Sequence, residues 1–141
     1  MKHTSKLFCA LLLAVVVSLA GCGAKQDVQQ SQAVADQFFK SLQSGRYQSA
    51  MQLFTARTAT LRGNKAINAQ KLQSFWQNLE KSHGKMQSWS ATGFQTFTGG
   101  QTNPRHTVLT YQIQYSKGSG QAQITVQPEG NSYRITGFQF Q

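Results

Sequence analysis

An α+β domain, helices first and an antiparallel meander after them, is the fold class this sequence predicts. Three observations predict it. Between Ser31 and Gly84, apolar residues recur at helical spacing; from Met86 onward they recur at every second position; and glycine- and proline-bearing turns cut that second half into hairpin-length pieces. A run of helices followed by a run of strands places the helices together on one sheet face. The expected architecture is about three helices packed on a curved, mainly antiparallel sheet of about four strands, a single domain over residues 32–141.

The elements follow in order. Val34, Ala35, Phe38, Phe39 and Leu42 make one apolar stripe, which Gly45 stops and which Asp27 or Ser31 caps at its start. Tyr47, Ala50, Met51 and Phe54 suggest a short second helix. Thr55 to Asn64 reads as a loop or a short strand. Leu72, Phe75, Trp76 and Leu79 form the third helical stripe, ended by Gly84. Met86 to Phe97 is one long strand or two pieces broken near Gly93, and Gly99 to Pro104 is a turn region. Leu109, Tyr111, Ile113 and Tyr115 alternate with polar residues, as do Ala122, Ile124 and Val126 after a turn at Lys117 to Gly120. Pro128 to Asn131 turns the chain again. In the last strand Tyr133 and Ile135 are out of phase with Phe138 and Phe140; a bulge at Gly137 puts all four on one face and bends the strand.

Before this domain lies a segment of a different kind. Lys2 and Lys6 are followed by the apolar run Leu7 to Ala20, in which Ser18 is the polar exception. About 14 residues make roughly 21 Å of helix, short of the about 20 residues that span a bilayer. The pattern is that of an export signal over residues 1–21. Leu19-Ala20-Gly21-Cys22 resembles the lipobox of bacterial lipoproteins. That resemblance implies cleavage between Gly21 and Cys22, a diacylglyceryl group on the Cys22 sulfur, and a bacterial envelope location, with Gly23 favouring the outer membrane in a didermal cell. Cys9 falls in the segment to be removed, so Cys22 alone remains and no internal disulfide forms. Residues 22–31 read as the lipidated cysteine and a short polar tether, whose stretch Gly23 to Gln30 reaches about 26 Å when extended.

A second resemblance concerns the domain. Phe38-Phe39-Lys40-Ser41-Leu42-Gln43-Ser44-Gly45-Arg46-Tyr47-Gln48-Ser49-Ala50 resembles the opening of the nuclear-transport-factor-two-like, or cystatin-like, cone fold. There an amphipathic helix breaks at glycine and an aromatic starts the next one. Tyr133-Arg134-Ile135-Thr136-Gly137-Phe138 is similar to the closing strand of small secreted members. The resemblance covers about residues 31–141 and implies a fold, not an activity, because the fold carries enzymes, transport factors and inert modules.

Enzymes of that fold, isomerases and cyclases among them, use an acidic residue inside the cone. This chain offers four acids beyond residue 21. Asp27 falls in the tether or first turn and Glu129 in a turn. Asp36 lies about 130° from the centre of its helical stripe and is expected to face water, and Glu80 sits at a flank. His83 reads as a helix C-terminal cation, and His106 lies near the cavity mouth without an acid partner. There is no zinc-ligand spacing, no phosphate-binding glycine loop and no Ser-His-acid arrangement. A non-enzymatic module without cofactor or metal is the expectation, and a cone-fold enzyme ranks third.

The remaining signals are surfaces and aromatics. Lys2 and Lys6 lie in the signal, leaving twelve basic residues against four acids, net +8. Arg57, Arg62, Lys65, Lys71, Lys81 and Lys85 dominate the middle of the chain and suggest an anionic lipid or envelope polymer as partner. No nucleic-acid motif accompanies them, so nucleic acid is not expected. Phe38, Trp76, Trp89, Tyr111, Tyr115 and Tyr133 either fill the core or line a pocket for an apolar small molecule, the main alternative to a binding module. Gln112, Gln114, Gln121, Gln123 and Gln127 form a polar sheet face, solvated or available to an envelope protein or a second copy.

Overall fold

The computed structural model describes residues 20–55, 60–61, 65–101 and 104–141. Helix α1 (Ala20–Gln43) is followed by α2 (Tyr47–Met51), a small antiparallel hairpin of β1 (Thr60–Leu61) and β2 (Lys65–Ala66), and α3 (Ala69–His83). Four long strands complete the chain: β3 (Met86–Phe97), β4 (His106–Tyr115), β5 (Gly118–Glu129) and β6 (Ser132–Phe140). They form one antiparallel sheet in the order β3-β4-β5-β6, a meander in which each strand pairs with its sequence neighbour. The predicted α+β class, helices on one face of an antiparallel sheet, is the architecture observed.

Helix α1 is longer than its apolar stripe. Phe38, Phe39, Leu42 and Ala35 are buried as expected, and the buried line continues upstream through Ser31 and Asp27, one turn apart. The segment expected to be a tether is therefore helical, and neither Asp27 nor Ser31 caps the start of α1. Hydropathy misses this extension because its inward positions are polar. The C-terminal stop is as read: Gly45 has φ 67°, its N–H donates to Leu42 O and that of Arg46 to Ser41 O. These two bonds satisfy the last carbonyls of the helix in a Schellman closure.

Helix α3 starts at Asn68, whose side chain accepts the Lys71 N–H at 2.8 Å, satisfying a donor that no helical carbonyl reaches. It ends at Gly84, whose N–H donates to Glu80 O and whose φ is 81°. The next residues cross to the β4–β5 turn: Lys85 N–H donates to Ser116 Oγ, Ser116 N–H to Lys85 O and Lys117 N–H to His83 O.

The sheet is two-faced. On β4, Thr107, Leu109, Tyr111, Ile113 and Tyr115 point inward, and on β5 Ala122, Ile124 and Val126 do so. Gln114, Gln121 and Gln123 are exposed on the outer face, with Gln112 and Gln127 half-buried. β3 is continuous, with a register irregularity between Ala91 and Gly93, close to the expected break. In β6, Thr125 pairs with Gly137 and Val126 with Ile135, which leaves Thr136 as an extra residue. This bulge brings Ile135, Phe138 and Phe140 opposite the inward residues Val126, Ile124 and Ala122. The free edge of β6 is extended by residues 53–55: Ile135 N–H donates to Leu53 O, and Thr55 N–H to Ile135 O. The last turn is tighter than expected, because Pro128 and Glu129 belong to β5 and pair with Tyr133 and Ser132.

Gly84 and Gly137 are therefore glycines for different reasons. A Cβ at Gly84 would strike Ser116 Oγ on a backbone already at positive φ, whereas one at Gly137 would meet nothing. Gly84→Ala is expected to cost at least about 1 kcal/mol, and Gly137→Ala to stay within about 0.5 kcal/mol. Urea-unfolding midpoints of the two variants decide this.

Candidate functional site

Two inward-facing acids occupy the helix–sheet interface, and neither is where periodicity placed it. Asp27 is 7% exposed on α1. It accepts a hydrogen bond from the Tyr133 hydroxyl at the start of β6 and pairs with Arg105, just before β4, at 3.2 Å. A carboxylate this enclosed requires such partners. The Asp27 hydrogen bond is the main cause that raises the Tyr133 phenol above its ordinary range, with burial second and the Asp27 charge third, while Arg105 opposes them.

Asp36 does not face water either. It accepts the Trp89 indole N–H at 2.9 Å. The neighbouring Phe39 ring lies 5.5 Å from Trp89 and 4.9 Å from Tyr111, so β3 and β4 wrap around this flank of the helix. A 130° offset from the stripe points to solvent on a flat sheet but to β3 on a curved one. Burial first, then the charge of Asp36 and its hydrogen bond to the hydroxyl, push the Tyr111 phenol strongly upward. Ser31 Oγ and Trp76 Nε1 are buried without a hydrogen-bond partner among the described residues, which is uncommon for buried donors.

The aromatics expected as pocket lining are mostly core. Phe38, Trp76, Tyr111 and Tyr115 belong to the central buried cluster, with Trp89 and Tyr133 half-buried against it. Phe38 packs edge-on to Phe54 and tilted on Phe138, and Trp76 packs against Phe140. Phe75 and Phe140, expected on inward faces but not in that aromatic set, meet at 5.8 Å, the bulge in β6 turning Phe140 inward.

Of the expected basic patch, Lys71, Lys81 and Lys85 have described side chains. Arg57 and Arg62 lie outside the described residues, and Lys65 is on β2. Lys71 and Lys81 are exposed in the first and last turns of α3, about 15 Å apart along its axis. Lys85 is exposed beyond the end of α3. His83 sits in that last turn with its ring 5.5 Å from Tyr115. His106 stacks on Phe97 at 4.6 Å, and its Nδ1 lies 3.0 Å from Pro104 O. Among the described residues no group of three or more His, Cys, Asp and Glu side chains converges on a metal position.

Outside the core, an apolar groove of about 370 Å³ runs between the beginning of α1 and the far end of β3, lined by Lys25, Val28, Gln29, Phe94 and Thr96. A polar depression lies between the α1–α2 turn and the start of α3, lined by residues that include Arg46, Tyr47 and Gln73.

The buried phenols set a pH dependence. Burial pushes Tyr115 up to about 12, against about 10 in an unfolded chain. A phenol kept neutral by the fold stabilises it fully below the unfolded-state value, and that contribution is lost as pH rises through the folded-state value. Folding stability is expected to fall between pH 10 and about 12, and Tyr115→Phe to lessen the slope by up to about 1.4 kcal/mol per pH unit. Chemical denaturation across that window checks it; identical slopes would mean that Tyr115 titrates as an exposed phenol.

No protein-family model matches this sequence, and no curated protein matches it. Solved structures do match in shape. An NTF-2 like protein of unknown function from Silicibacter pomeroyi superposes with a TM-score of 0.54 at 10% identity, covering 84% of this chain and 98% of that one. Aln2 from a Streptomyces species gives 0.57 at 7% identity, covering 81% and 88%. A putative calcium/calmodulin-dependent protein kinase type II association domain from Thiobacillus denitrificans gives 0.51 at 11% identity, covering 77% and 91%. At such identities the likeness concerns architecture alone: the chain has the NTF-2-like cone fold.

Proposed function

We propose that this protein is a lipid-anchored domain of the bacterial envelope that acts by binding rather than by catalysis. The observation that carries this reading is Leu19-Ala20-Gly21-Cys22 at the end of a short apolar run behind two lysines. No described helix is long and apolar enough to cross a membrane; attachment on this reading is through acyl chains on Cys22. Gly23 after the cysteine favours the outer membrane of a didermal cell. Placement of the acids supports binding over catalysis: Asp27 is engaged by Tyr133 and Arg105, and Asp36 by Trp89. Anionic lipid or another acidic envelope polymer suits the excess of cations, and the outward glutamine face suits a protein partner or a second copy.

Cys22→Ala is expected to abolish both metabolic acyl labelling and sedimentation with membranes. A variant that fractionates like the wild type would overturn the anchor.

One observation favours a second reading, a carrier of an apolar small molecule. Trp76 Nε1 and Ser31 Oγ, unpartnered among the described residues, are buried donors suited to a polar atom on an otherwise apolar ligand. On this reading, solvent extraction of the purified protein followed by mass spectrometry yields a stoichiometric lipid-like molecule; an empty extract rejects it.

A further inference from the structure

We infer that the end of the domain where α1 begins and β3 finishes docks tip-first on the lipid bilayer, the end of β3 entering the boundary between headgroups and acyl chains with Phe94 on one face of the strand and Phe97 on the other. The inference rests on the lipid anchor at Cys22 proposed above and adds an orientation and an insertion surface to it.

Geometry comes first. Helix α1 runs antiparallel to β3: Gln43 near its C-terminus donates to Met86 O at the start of β3, Asp36 bonds Trp89, and Lys25 and Val28 line a groove with Phe94 and Thr96 near the end of β3. Cys22 precedes Asp27 by five helical residues, a rise of about 7.5 Å. Asp27 is fixed to the sheet by Tyr133 and Arg105. With no flexible tether, a lipid on Cys22 holds this end of the cone, and no other, within about a nanometre of the bilayer surface.

The chemistry of that end matches the surface it would meet. Phe94 and Phe97 are the exposed large hydrophobic residues of the described chain, at 59% and 45%, and both stand near the tip of β3, Phe94 on the face toward α1 and Phe97 on the opposite face against His106. Beside them are the exposed Lys25, the half-exposed Arg105 side chain and His106 stacked on Phe97. Exposed aromatic side chains beside a lysine suit an interfacial membrane surface, the rings entering the acyl boundary while Lys25 meets anionic headgroups. The acids at this end do not oppose it: Asp27 is buried against Arg105, and Glu129 stands two strands away from β3 near the β5–β6 turn. Lys81 and Lys85 lie at the start of β3, about 36 Å from its end. They therefore face away from the anchored membrane.

The test uses the full chain, expressed with lipidation and reconstituted into phosphatidylethanolamine–phosphatidylglycerol vesicles. Phe94→Cys and, at the opposite end, Lys117→Cys each provide one free thiol for a nitroxide label. Power-saturation electron paramagnetic resonance then reads access to oxygen against a water-soluble nickel chelate. The oxygen-to-nickel ratio is expected to be several-fold higher at position 94 than at position 117, placing the label below the phosphates. Phe97→Cys replaces Phe94→Cys if the latter fails to fold. Equal, water-like ratios on protein whose intact mass shows acylated Cys22 overturn the docking while leaving the anchor standing. Spin–spin broadening at position 94 with low access to both reagents also overturns it, because a second copy then covers the patch. Absence of the acyl mass overturns the anchor and the docking together.

Discussion

Two adjacent rings on one helix hold this molecule together. Phe39 contacts Trp89 on β3, Tyr111 on β4 and Phe140 on β6, while Phe38 contacts Phe54 and Phe138. Burying each ring contributes about 1.5–3 kcal/mol, and suitably angled ring pairs add about 0.5–1.5 kcal/mol each. For two neighbouring residues to touch three strands and a preceding segment, the sheet must curl around the helix. Thr136 supplies part of that curl as the extra residue in β6. The cone is thus a consequence of where two phenylalanines fall on α1.

The same curvature explains why polar residues of α1 end up inside. Once β3 and β4 wrap past the apolar stripe, the flank carrying Asp36 meets the Trp89 indole instead of water. Upstream, Asp27 and Ser31 continue the buried line, and the carboxylate is made tolerable by a phenol from β6 and a guanidinium from the residue before β4. Helix α1 is consequently a rod fastened at both ends, by Asp27 near one end and by the Gln43 side chain on Met86 O at the other. The two ends of the cone differ in chemistry too. Exposed phenylalanines cluster at one end, and lysines that follow or close α3 stand at the other.

How much of this was legible beforehand depends on what carried the signal. The alternation of Leu109, Tyr111, Ile113 and Tyr115, the stripe through Leu72 and Trp76, the glycine stops at 45 and 84 and the bulge next to Gly137 all appear as read. Each is a local pattern imposed by backbone geometry: period two, period 3.6, or a positive φ. The helical start of the domain was not legible, because Asp27 and Ser31 are polar and read as caps or tether. Nor was the spacing of Lys71 and Lys81, which a helix holds about 15 Å apart along its axis.

Composition and periodicity by themselves determined the order of helices and long strands, the inward faces of β4, β5 and β6 and the single cysteine left beyond residue 21. Those are properties of short windows of chain, and solvent exclusion acts on them locally. Only the tertiary structure decided the fate of the charged and hydrogen-bonding groups. Whether Asp27 is solvated or locked to Arg105, and whether Asp36 faces water or Trp89, depends on residues 53 to 106 positions away. The direction of a polar side chain is set by the partner that compensates its burial, and that partner is chosen by sheet curvature, which no local window of the sequence contains.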